Sequence, residues 1–357
     1  MTAFGPADRF KSKTEAAMFC DPTSLCYLTG VRFSAGTAVI GPASRTLFVD
    51  GRYFFKARRR LGKKWNVICA PPAPAIFMDK IKALGIRKLC LDPESITAAQ
   101  YRKILSAADG IEISDADGLA DRIRAVKRPE ELTVIREAVL ITDELWTRVR
   151  RMVRIGMTEL ELLAKIKEEA IRMGAEDMSF EPIVASGPGT AEPHAEAGPK
   201  KILGDEPLMV DMGIRLGGYC SDFTRTPFLL HRRASPPAWF IKFQSEVRAI
   251  QNLAYGLISR GVREPAVIAK NISARLQKNR LRKHYLHNLG HGVGMKIHEE
   301  PYLTEKGRTL KDGMVFTVEP GLYRAGQGGV RIEDMACLWR GRLDILTKSS
   351  KEMSWRL

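Results

Sequence analysis

The sequence predicts two α/β domains, a smaller one over residues 1–122 and a larger one over residues 123–357. Three observations lead to this fold class. The chain has 357 residues, which is enough for two hydrophobic cores. Its first part alternates short strand-like and helix-like segments, as an α/β domain does. The polar stretch A-V-K-R-P-E-E-L at residues 125–132 then begins a pattern of longer helices and turn-flanked strands.

The first domain is predicted from short β-branched or aromatic runs that close at Gly, Pro or Asp, which is the pattern of strands. Helical spacing of apolar residues predicts helices at residues 76–85 and 96–105. The runs that predict strands are C-Y-L-T-G (26–30), T-A-V-I-G (37–41), T-L-F-V-D (46–50), W-N-V-I (65–68) and K-L-C-L-D (88–92).

The second domain is predicted to begin with a long amphipathic helix. Pro129 and the two glutamates after it suit a first helical turn, where proline loses no hydrogen bond and acids face the positive end of the helix dipole. A second helix follows, because Thr158 and Glu161 have the spacing of a capping box. Apolar spacing predicts further helices at residues 235–251 and 264–276.

Common metal-ligand residues recur in short, unusual strings along the second domain. Four carboxylates and one imidazole form a ligand set for two divalent cations rather than for one structural zinc ion. Two cations that share ligands turn water into a nucleophile at neutral pH, so the strings indicate a hydrolase. The five residues are Asp211 in V-D-M-G, Asp222 in C-S-D-F-T-R-T, His291 in G-H-G-V-G, Glu319 in V-E-P-G and Glu333 in V-R-I-E-D.

The first two carboxylates lie in a string that predicts a β-hairpin. A turn at residues 216–217 would oppose Asp211 and Asp222 directly, and a turn at residues 217–218 would displace them diagonally. Side chains alternate faces along a strand, so both registers point the two acids the same way. Like charges there require a neutralising cation, whereas a solvated hairpin face would explain their apolar neighbours poorly.

The last two carboxylates follow the same logic. Glu319 and Glu333 lie in strand-like segments joined by the glycine-rich A-G-Q-G-G, and their even separation is compatible with a shared face. His291 lies between these two pairs of acids in the sequence. Glycines surround it and allow close backbone approach, so we expect it to be a ligand rather than an ordinary core histidine.

Three further histidines and one arginine are candidates for substrate contacts. His194 lies in the loop-like A-S-G-P-G-T-A-E-P-H-A-E, and His287 and His298 flank the expected ligand histidine. Such histidines can hydrogen-bond a substrate carbonyl or shuttle protons, although each alone is also compatible with a surface hydrogen bond. Arg331 shares the strand face of the last glutamate, where it could orient a carboxylate or contact substrate.

Composition limits the class of protein. No apolar run approaches the ~20 residues that span a bilayer, and the amino-terminal residues lack a signal-peptide pattern. The six cysteines have no framework spacing, so we expect reduced thiols in a cytoplasmic protein without a membrane partner. The formal net charge is +16, but the basic residues are dispersed apart from short clusters such as residues 56–64 and 280–283. We therefore expect a basic solvated surface rather than a nucleic-acid site.

These strings resemble those of the M24 metallopeptidases, and specifically the branch of aminopeptidase P and prolidase. The resemblance covers nearly the whole chain. It implies a catalytic domain with the pita-bread fold over residues 123–357 and a creatinase-like α/β domain over residues 1–122, where C-Y-L-T-G and F-V-D-G-R-Y carry it. All five ligand positions occur in order with matching neighbours.

The resemblance implies two divalent metal ions bridged by Asp222 and Glu333. Asp211 completes the ligands of one ion, and His291 and Glu319 complete those of the other. Mn(II) suits this oxygen-rich set best, with Co(II) or Zn(II) as alternatives. A hydroxide that bridges the ions would attack the peptide carbonyl.

The resemblance also implies roles for the groups around the metals. Glu319 is the implied proton shuttle, and His298 would stabilise the oxyanion. His194 and His298 match the histidines that bind the substrate and stabilise the intermediate. His287 matches a position typical of the proline-specific branch, and Arg331 matches the arginine in the V-R-I-E-D string.

The implied activity is cleavage between an N-terminal residue and a following proline, by a homodimeric aminopeptidase that acts on peptides with proline at the second position. A prolidase restricted to Xaa-Pro dipeptides is the nearest alternative. A non-catalytic binding protein with a nucleic-acid partner is a more distant one, because such proteins are expected to lose ligands. Glu192 stands where many relatives have an apolar residue, which bears on specificity rather than on catalysis.

Overall fold

The computed structural model describes residues 12, 14–42, 44–70, 76, 78–92, 95–116 and 118–357. The contacts divide the chain into two compact units, one up to Arg124 and one from Ala125. The exact domain boundary after residue 122 stays a prediction. Among the described residues, no helix is long and apolar enough to cross a membrane.

The first unit is built on one mixed six-stranded sheet in the order β4-β3-β2-β1-β5-β6. Strand β1 runs antiparallel to β2 and parallel to β5. The strands are β1 (Glu15–Phe19), β2 (Thr37–Ile40), β3 (Arg45–Val49), β4 (Asn66–Cys69), β5 (Lys88–Leu91) and β6 (Glu112–Asp115). The helices are α1 (Pro22–Thr29), α2 (Gly51–Leu61), α3 (Met78–Ala83), α4 (Ala98–Ala107) and α5 (Leu119–Ala125), the last of which ends at the division between the units.

The strand predicted at residues 26–30 is wrong, because these residues complete helix α1. The sequence signals for this helix lie at residues 21 and 22, before the apolar run at residues 26–30. The Asp21 carboxylate accepts the amide hydrogen of Ser24 at 2.8 Å, and Pro22 occupies the first turn. A short apolar run has no periodicity of its own that separates a strand from a buried helix.

The other predicted elements of this unit are confirmed to within a few residues. The strand runs at 37–41, 46–50, 65–68 and 88–92 correspond to β2, β3, β4 and β5. The helix at residues 96–105 is α4, and the one at 76–85 is described as α3, with residue 77 outside the described residues. Elements β1, α2, β6 and α5 were not predicted.

Long helices begin the second unit and, along the chain, separate its groups of strands. They are α6 (Pro129–Met152), α7 (Glu159–Arg172), α8 (Ala238–Ser259) and α9 (Pro265–Lys278). All four were predicted from the sequence. Pro129 opens α6, and Thr158 and Glu161 form the expected capping box of α7, with the Thr158 amide donating to the Glu161 carboxylate at 2.7 Å.

Short strands form the sheets of the second unit. Three strands pair in the order β11-β10-β7, four in the order β12-β9-β13-β21 with β8 also on β9, five in the order β15-β14-β16-β19-β20, and β17 pairs with β18. The strands are β7 (Asp177–Met178), β8 (Ile183–Ser186), β9 (Glu206–Asp211), β10 (Ile214–Leu216), β11 (Tyr219–Cys220), β12 (Thr224–Arg225), β13 (Phe228–Leu230), β14 (His291–Gly292), β15 (Glu299–Tyr302), β16 (Val315–Val318), β17 (Gly321–Arg324), β18 (Gly328–Arg331), β19 (Asp334–Trp339), β20 (Arg342–Ile345) and β21 (Ser354–Arg356).

The hairpin that carries the first two carboxylates turns at Gly217 and Gly218. Leu216 pairs with Tyr219, and both glycines have positive φ angles, of 56° and 86°. Two successive positive φ angles define the hairpin turn that matches strand twist, and glycine adopts them without steric cost. The second of the two predicted registers is therefore the one that the chain adopts.

This register places Asp211 diagonally from Asp222 on one face, because Asp211 pairs directly with Thr224. The intervening residues Met212 and Phe223 point the other way and are almost completely buried, at 0% and 1% exposed. They join an apolar core that includes Trp146. The core on one face thus fixes which side chains face the site on the other.

The other two carboxylates lie opposite each other where one antiparallel ladder gives way to the next. Val318 at the end of β16 pairs with Asp334 at the start of β19, and Gly321 at the start of β17 pairs with Arg331 at the end of β18. The same register continues through the break, so Glu319 and Glu333 occupy facing positions there. Each backbone is held by another segment, since the Glu319 amide donates to the Leu289 carbonyl at 2.8 Å and the Glu333 amide donates to the Thr224 carbonyl at 3.0 Å.

We expect Gly213→Ala to destabilise the protein by about 1–3 kcal/mol, the usual cost of overpacking a core. A Cβ atom at Gly213 would lie 1.9 Å from the backbone oxygen of Ser221, inside the hairpin that carries Asp211 and Asp222. Urea unfolding measures the change. Gly51→Ala is the matched control, since a Cβ atom there meets nothing within 4 Å. Equal stability of the two variants would contradict this account of the hairpin.

Candidate metal centre

One cavity of about 720 Å³ in the second unit contains every residue predicted for the site. Asp211 ends β9, Asp222 lies between β11 and β12, and His291 begins β14. Glu319 and Glu333 come from the break between the two ladders. The cavity is also lined by the predicted substrate-contact residues His194, His287, His298 and Arg331.

The distances show how closely the ligand atoms approach one another. The Nε2 atom of His291 lies 3.3 Å from Oε1 of Glu319 and 3.6 Å from Oδ2 of Asp222. Ligand atoms of Asp222, His291 and Glu333 all lie within 4.8 Å of one another, the one such group found among the described residues. Asp211 stands apart from this group, at the side of the cavity where Arg331 lies.

Two observations fit these residues to divalent cations. The buried Oδ1 atom of Asp211 has no hydrogen-bond partner among the described residues, although an unsatisfied buried carboxylate oxygen is costly. The Nδ1 atom of His291 donates to the Gly292 carbonyl at 3.1 Å, which leaves the lone pair of Nε2 directed at the carboxylates. The donor set is therefore oxygen-rich with one imidazole, as borderline divalent metals prefer.

Burial and mutual repulsion govern the titration of the carboxylates. Burial raises the pKa of Asp222 and of Glu333 well above the ordinary range, and the neighbouring carboxylates raise both further. Burial, reinforced by Asp211 and opposed by Arg331, raises the pKa of Glu319 to about 8. The metal-free site holds its charges only at a large energetic cost, and nearby cations would remove that cost.

Arg331 is the one guanidinium that lines the cavity. Its Nη2 donates to Oδ2 of Asp211 at 2.6 Å, and its Nη1 donates to the Tyr323 hydroxyl at 2.8 Å and to the Pro193 carbonyl at 3.0 Å. The Arg331 side chain is only 4% exposed. Of the two roles considered for Arg331, orientation of a carboxylate is therefore the one that its contacts favour.

A hydrogen-bond chain continues from Arg331 to His287. The His287 Nδ1 donates to the Asn288 carbonyl at 2.8 Å, so its Nε2 accepts from the Tyr323 hydroxyl, also at 2.8 Å. Burial, followed by the charge of Arg331, lowers the pKa of His287 to about 4. His287 is thus a neutral imidazole at physiological pH.

The remaining two histidines lie at the exposed side of the cavity. The ring of His298 meets the ring of His291 edge-on, with 4.2 Å between the ring centres. Burial and the nearby His194 lower the pKa of His298, so it is neutral at physiological pH. His194 follows the short 3₁₀ helix at residues 187–191 and is exposed. Both rings can donate to an oxygen atom within the cavity.

Sequence reasoning missed Thr224 and Tyr323. The Thr224 hydroxyl donates to Oε2 of Glu333 at 2.7 Å and accepts from Nε of Arg331 at 3.2 Å. Both residues lie an even number of positions from a ligand, Thr224 two after Asp222 and Tyr323 four after Glu319. Strand alternation was therefore the signal that could have identified them.

The outer walls of the cavity combine apolar and acidic side chains. Leu160, Leu163 and Phe180 supply the apolar surface, and Glu181 and Glu196 are the carboxylates that line it besides the expected ligands. The Glu181 carboxylate accepts from Nζ of Lys167 at 2.6 Å. Glu192, singled out in the sequence for its bearing on specificity, is exposed and does not line this cavity.

A buried ion pair supports the ligand strands from behind. Nη2 of Arg225 lies 2.7 Å from Oδ1 of Asp334, with the two side chains 3% and 0% exposed. Arg225 lies three residues after Asp222, and Asp334 follows Glu333 directly. The Tyr255 hydroxyl donates to the second Asp334 oxygen at 3.1 Å. The pair therefore joins the two chain segments that carry the bridging carboxylates implied by the sequence.

The α/β fold and the buried carboxylate–imidazole cluster define a metal-dependent hydrolase. Residues 133–338 match metallopeptidase family M24, and residues 11–126 match the creatinase/prolidase N-terminal domain. The chain belongs to metallopeptidase family M24, and it is a metallopeptidase. The predicted family, the pita-bread fold and the creatinase-like first domain are thereby confirmed, and membership implies divalent metal ions.

Relatives match along almost their whole length. A putative Xaa-Pro aminopeptidase of Mycoplasma pneumoniae is 29% identical over 331 residues, which cover 91% of this chain and 90% of that protein. The structure of an Xaa-Pro dipeptidase from Bacillus anthracis gives a TM-score of 0.87 at 27% identity and covers 96% of this chain and 95% of that one. An X-Pro aminopeptidase from Thermotoga maritima gives 0.83 at 25% identity, with 96% and 98% covered.

We expect the metal-free protein to lose stability as the pH rises toward 8. Glu319 binds its proton more tightly in the folded state, with a pKa of about 8 against an ordinary 4.5, so its contribution to stability disappears as the pH rises through this interval. The lowered pKa values of His287 and His291 act in the opposite direction, but only below the ordinary histidine value of 6.5. The carboxylate effect should therefore dominate between about pH 6.5 and 8.

Thermal unfolding of chelator-treated protein across this interval measures the effect, with and without added Mn(II). The cation should stabilise the protein more at the upper end of the interval, where the carboxylates are ionised. In Glu319→Gln the loss of stability toward pH 8 should be smaller. A metal-free protein that becomes more stable toward pH 8 would contradict the electrostatic account of the site.

Proposed function

We propose that this peptidase is an Xaa-Pro aminopeptidase, which removes an N-terminal residue that precedes proline. The cavity lining carries the proposal. Its one guanidinium, on Arg331, is already bound to Asp211, Tyr323 and the Pro193 carbonyl. In an Xaa-Pro dipeptide the free carboxylate lies on the proline, and His287 and His298 are neutral at physiological pH. A substrate that continues beyond proline places no charge there.

The alternative is an Xaa-Pro dipeptidase. The structural likeness to the dipeptidase of Bacillus anthracis supports it, whereas the likeness to the aminopeptidases of Mycoplasma pneumoniae and Thermotoga maritima supports the first proposal. Both candidate activities cleave the bond before a proline at the second position of the substrate. The homodimer and the cytoplasmic location stay predictions.

The proposed cofactor is a pair of divalent cations, with Mn(II) as the proposed metal. Asp222 and Glu333 would hold both ions, Asp211 would complete the ligands of one, and His291 and Glu319 those of the other. When bound, the cations supply a water nucleophile at neutral pH and polarise the scissile carbonyl. The unpartnered Oδ1 of Asp211 and the lone pair of His291 Nε2 support this assignment.

Side chains of the cavity would carry out proton transfer, oxyanion stabilisation and substrate positioning. Glu319, whose Oε1 accepts from the Thr317 hydroxyl at 3.3 Å, is the proposed proton acceptor. His194 and His298 would donate to the oxygen of the scissile carbonyl as charge develops on it. Arg331 would hold the Asp211 carboxylate directly, and the Tyr323 hydroxyl would couple Arg331 to His287, which is the proposed substrate contact.

Proline explains why recognition would depend on shape. The bond before proline is a tertiary amide whose nitrogen carries no hydrogen, so no group of the enzyme can accept a hydrogen bond from it. The ring must be recognised by packing, for which the apolar wall of Leu160, Leu163 and Phe180 offers surface. The free N-terminal amine would lie near Asp211 and the ion that it holds.

We expect Asp222→Ala and Glu333→Ala each to abolish metal-dependent turnover, because each removes a carboxylate proposed to bridge the two ions. Peptidase assays and the metal content per chain of Mn(II)-loaded protein measure the effect. Glu137→Ala, which removes an exposed carboxylate from α6, is the control and should keep both. Full activity in either site variant with less than one bound ion per chain would falsify the two-metal assignment.

We expect Xaa-Pro-Yaa to be cleaved about 10–100-fold more efficiently than Xaa-Ala-Yaa, the scale of a well-packed apolar contact. The N-acetylated peptide should be a poor substrate because it lacks the free amine. The Xaa-Pro dipeptide should also be poor because its carboxylate has no free guanidinium partner. Release of the first residue in the presence of Mn(II), expressed as kcat/KM, measures all four substrates.

The same panel separates the two candidate activities. A higher kcat/KM for the Xaa-Pro dipeptide than for Xaa-Pro-Yaa would overturn the aminopeptidase proposal and support the dipeptidase alternative. Equal rates on the Xaa-Pro-Yaa, Xaa-Ala-Yaa and acetylated peptides would contradict both and leave a peptidase without proline specificity.

A further inference from the structure

Helix α2 and the turn after it concentrate positive charge in the first unit. Residues 51–64 contain seven lysines and arginines and no acid, in a chain whose formal net charge is +16. The sequence indicated a basic surface that is dispersed apart from short clusters, of which residues 56–64 are one. The structure places this cluster on one helix, Gly51–Leu61, and on the 3₁₀ turn Gly62–Lys64 that follows it.

The charges form one exposed face. Ala57 and Leu61 are 0% and 7% exposed and attach the helix to its domain. Spacings of three, four, seven and eight residues from Arg52 place five exposed side chains along a single stripe on the helix surface, and the exposed Lys63 extends it in the 3₁₀ turn that follows. This stripe, called the α2 stripe below, comprises Arg52, Phe55, Lys56, Arg59, Arg60 and Lys63.

Few of these charges are neutralised within the described part of the chain. Arg52 pairs with Asp50 at 2.7 Å, and Lys56 donates to the Arg32 carbonyl at 3.2 Å. No ion pair with a described residue involves Arg59, Arg60 or Lys63. Like charges that recur at each helical turn repel one another, so an anionic partner would relieve an existing cost.

The stripe includes one aromatic residue, Phe55, whose ring meets the half-buried Phe54 ring with 5.6 Å between the ring centres. Phe55 is 80% exposed, more than any other large hydrophobic side chain that the structure describes. A phenyl ring beside cations is the combination on which the bases of a single strand stack while the cations hold its phosphates. The cations recur about once per 5.4 Å turn of the helix, which suits a charged chain that runs along the stripe.

We propose that the α2 stripe binds single-stranded nucleic acid, a function separate from peptide hydrolysis. A duplex would not expose bases to Phe55. An anionic membrane fits less well, because the apolar side of α2 is occupied by its own domain and one outward phenyl ring offers little surface for insertion. A symmetric contact between two copies of the stripe would place like charges against each other.

The test is fluorescence anisotropy of labelled single-stranded RNA and DNA, about 20 nucleotides long to cover several site sizes, titrated with the full-length protein. The first variant reverses Arg59, Arg60 and Lys63 to glutamate, and the second is Phe55→Ala. The control reverses Lys270, Lys278 and Lys306, exposed lysines of the second unit, and so changes the net charge equally. Circular dichroism and peptidase activity, expected to be unchanged in every variant, verify folding.

We expect the stripe reversal and Phe55→Ala each to weaken binding at least tenfold, and the control reversal to weaken it less than twofold. The logarithm of the wild-type affinity should fall with the logarithm of salt concentration with a slope near −3, since about four phosphates at about −0.7 each would be neutralised. The stripe reversal should flatten this slope.

Other outcomes would overturn the proposal. They include no binding at physiological salt, equal losses in the stripe and control reversals, and equal affinity for duplex and single strand. Binding to phosphatidylserine vesicles but not to oligonucleotides would assign the stripe to a membrane. A change of oligomeric state in the stripe reversal, measured by sedimentation without any oligonucleotide binding, would assign it to a protein interface.

Discussion

Repulsion among buried carboxylates is the constraint on which the catalytic unit depends. Asp211, Asp222, Glu319 and Glu333 converge in one cavity, where Arg331 supplies the one guanidinium. Apolar packing and strand pairing hold the acids together against this repulsion, and protons or metal ions must compensate the remainder. Metal binding therefore contributes directly to the stability of the folded site, and affinity and folding are two measures of the same free energy.

The site is held from three directions, each with a different physical means. The apolar core behind the first hairpin sets the direction of Asp211 and Asp222 through strand alternation. Glu319 and Glu333 lie at the break between two ladders, where they occupy facing positions. The Arg225–Asp334 pair, fully removed from water, joins the segments that carry Asp222 and Glu333, and such a pair contributes specificity of arrangement more than net stability. The precision of the cluster thus comes from its supports rather than from attraction among its members.

Local patterns in the sequence were enough to predict what depends on strand alternation and helix capping. They predicted the catalytic unit's helices and both possible hairpin registers, and they named nine residues that the structure brings to the lining of one cavity. Glycine conformation chose between the registers, which alternation alone cannot do. The Arg331–Tyr323–His287 chain and the role of Thr224 depend on which strands meet in space, and no local pattern encodes that. The wrong strand prediction at residues 26–30 has a different cause. The helix signal at Asp21 and Pro22 is local, but it lies before the residues from which the strand was predicted.

The Gly217–Gly218 turn also affects how the family can vary. Surface turns usually accept insertions and deletions, because little depends on their length. Here one added or deleted residue would rotate Asp222 to the opposite side of its strand relative to Asp211, while a change of two would restore its side but shift its position along the strand. A two-residue turn that carries no site residue itself thus restricts the length of the chain around the site, and length variation in this hairpin should mark lineages that have lost the chemistry.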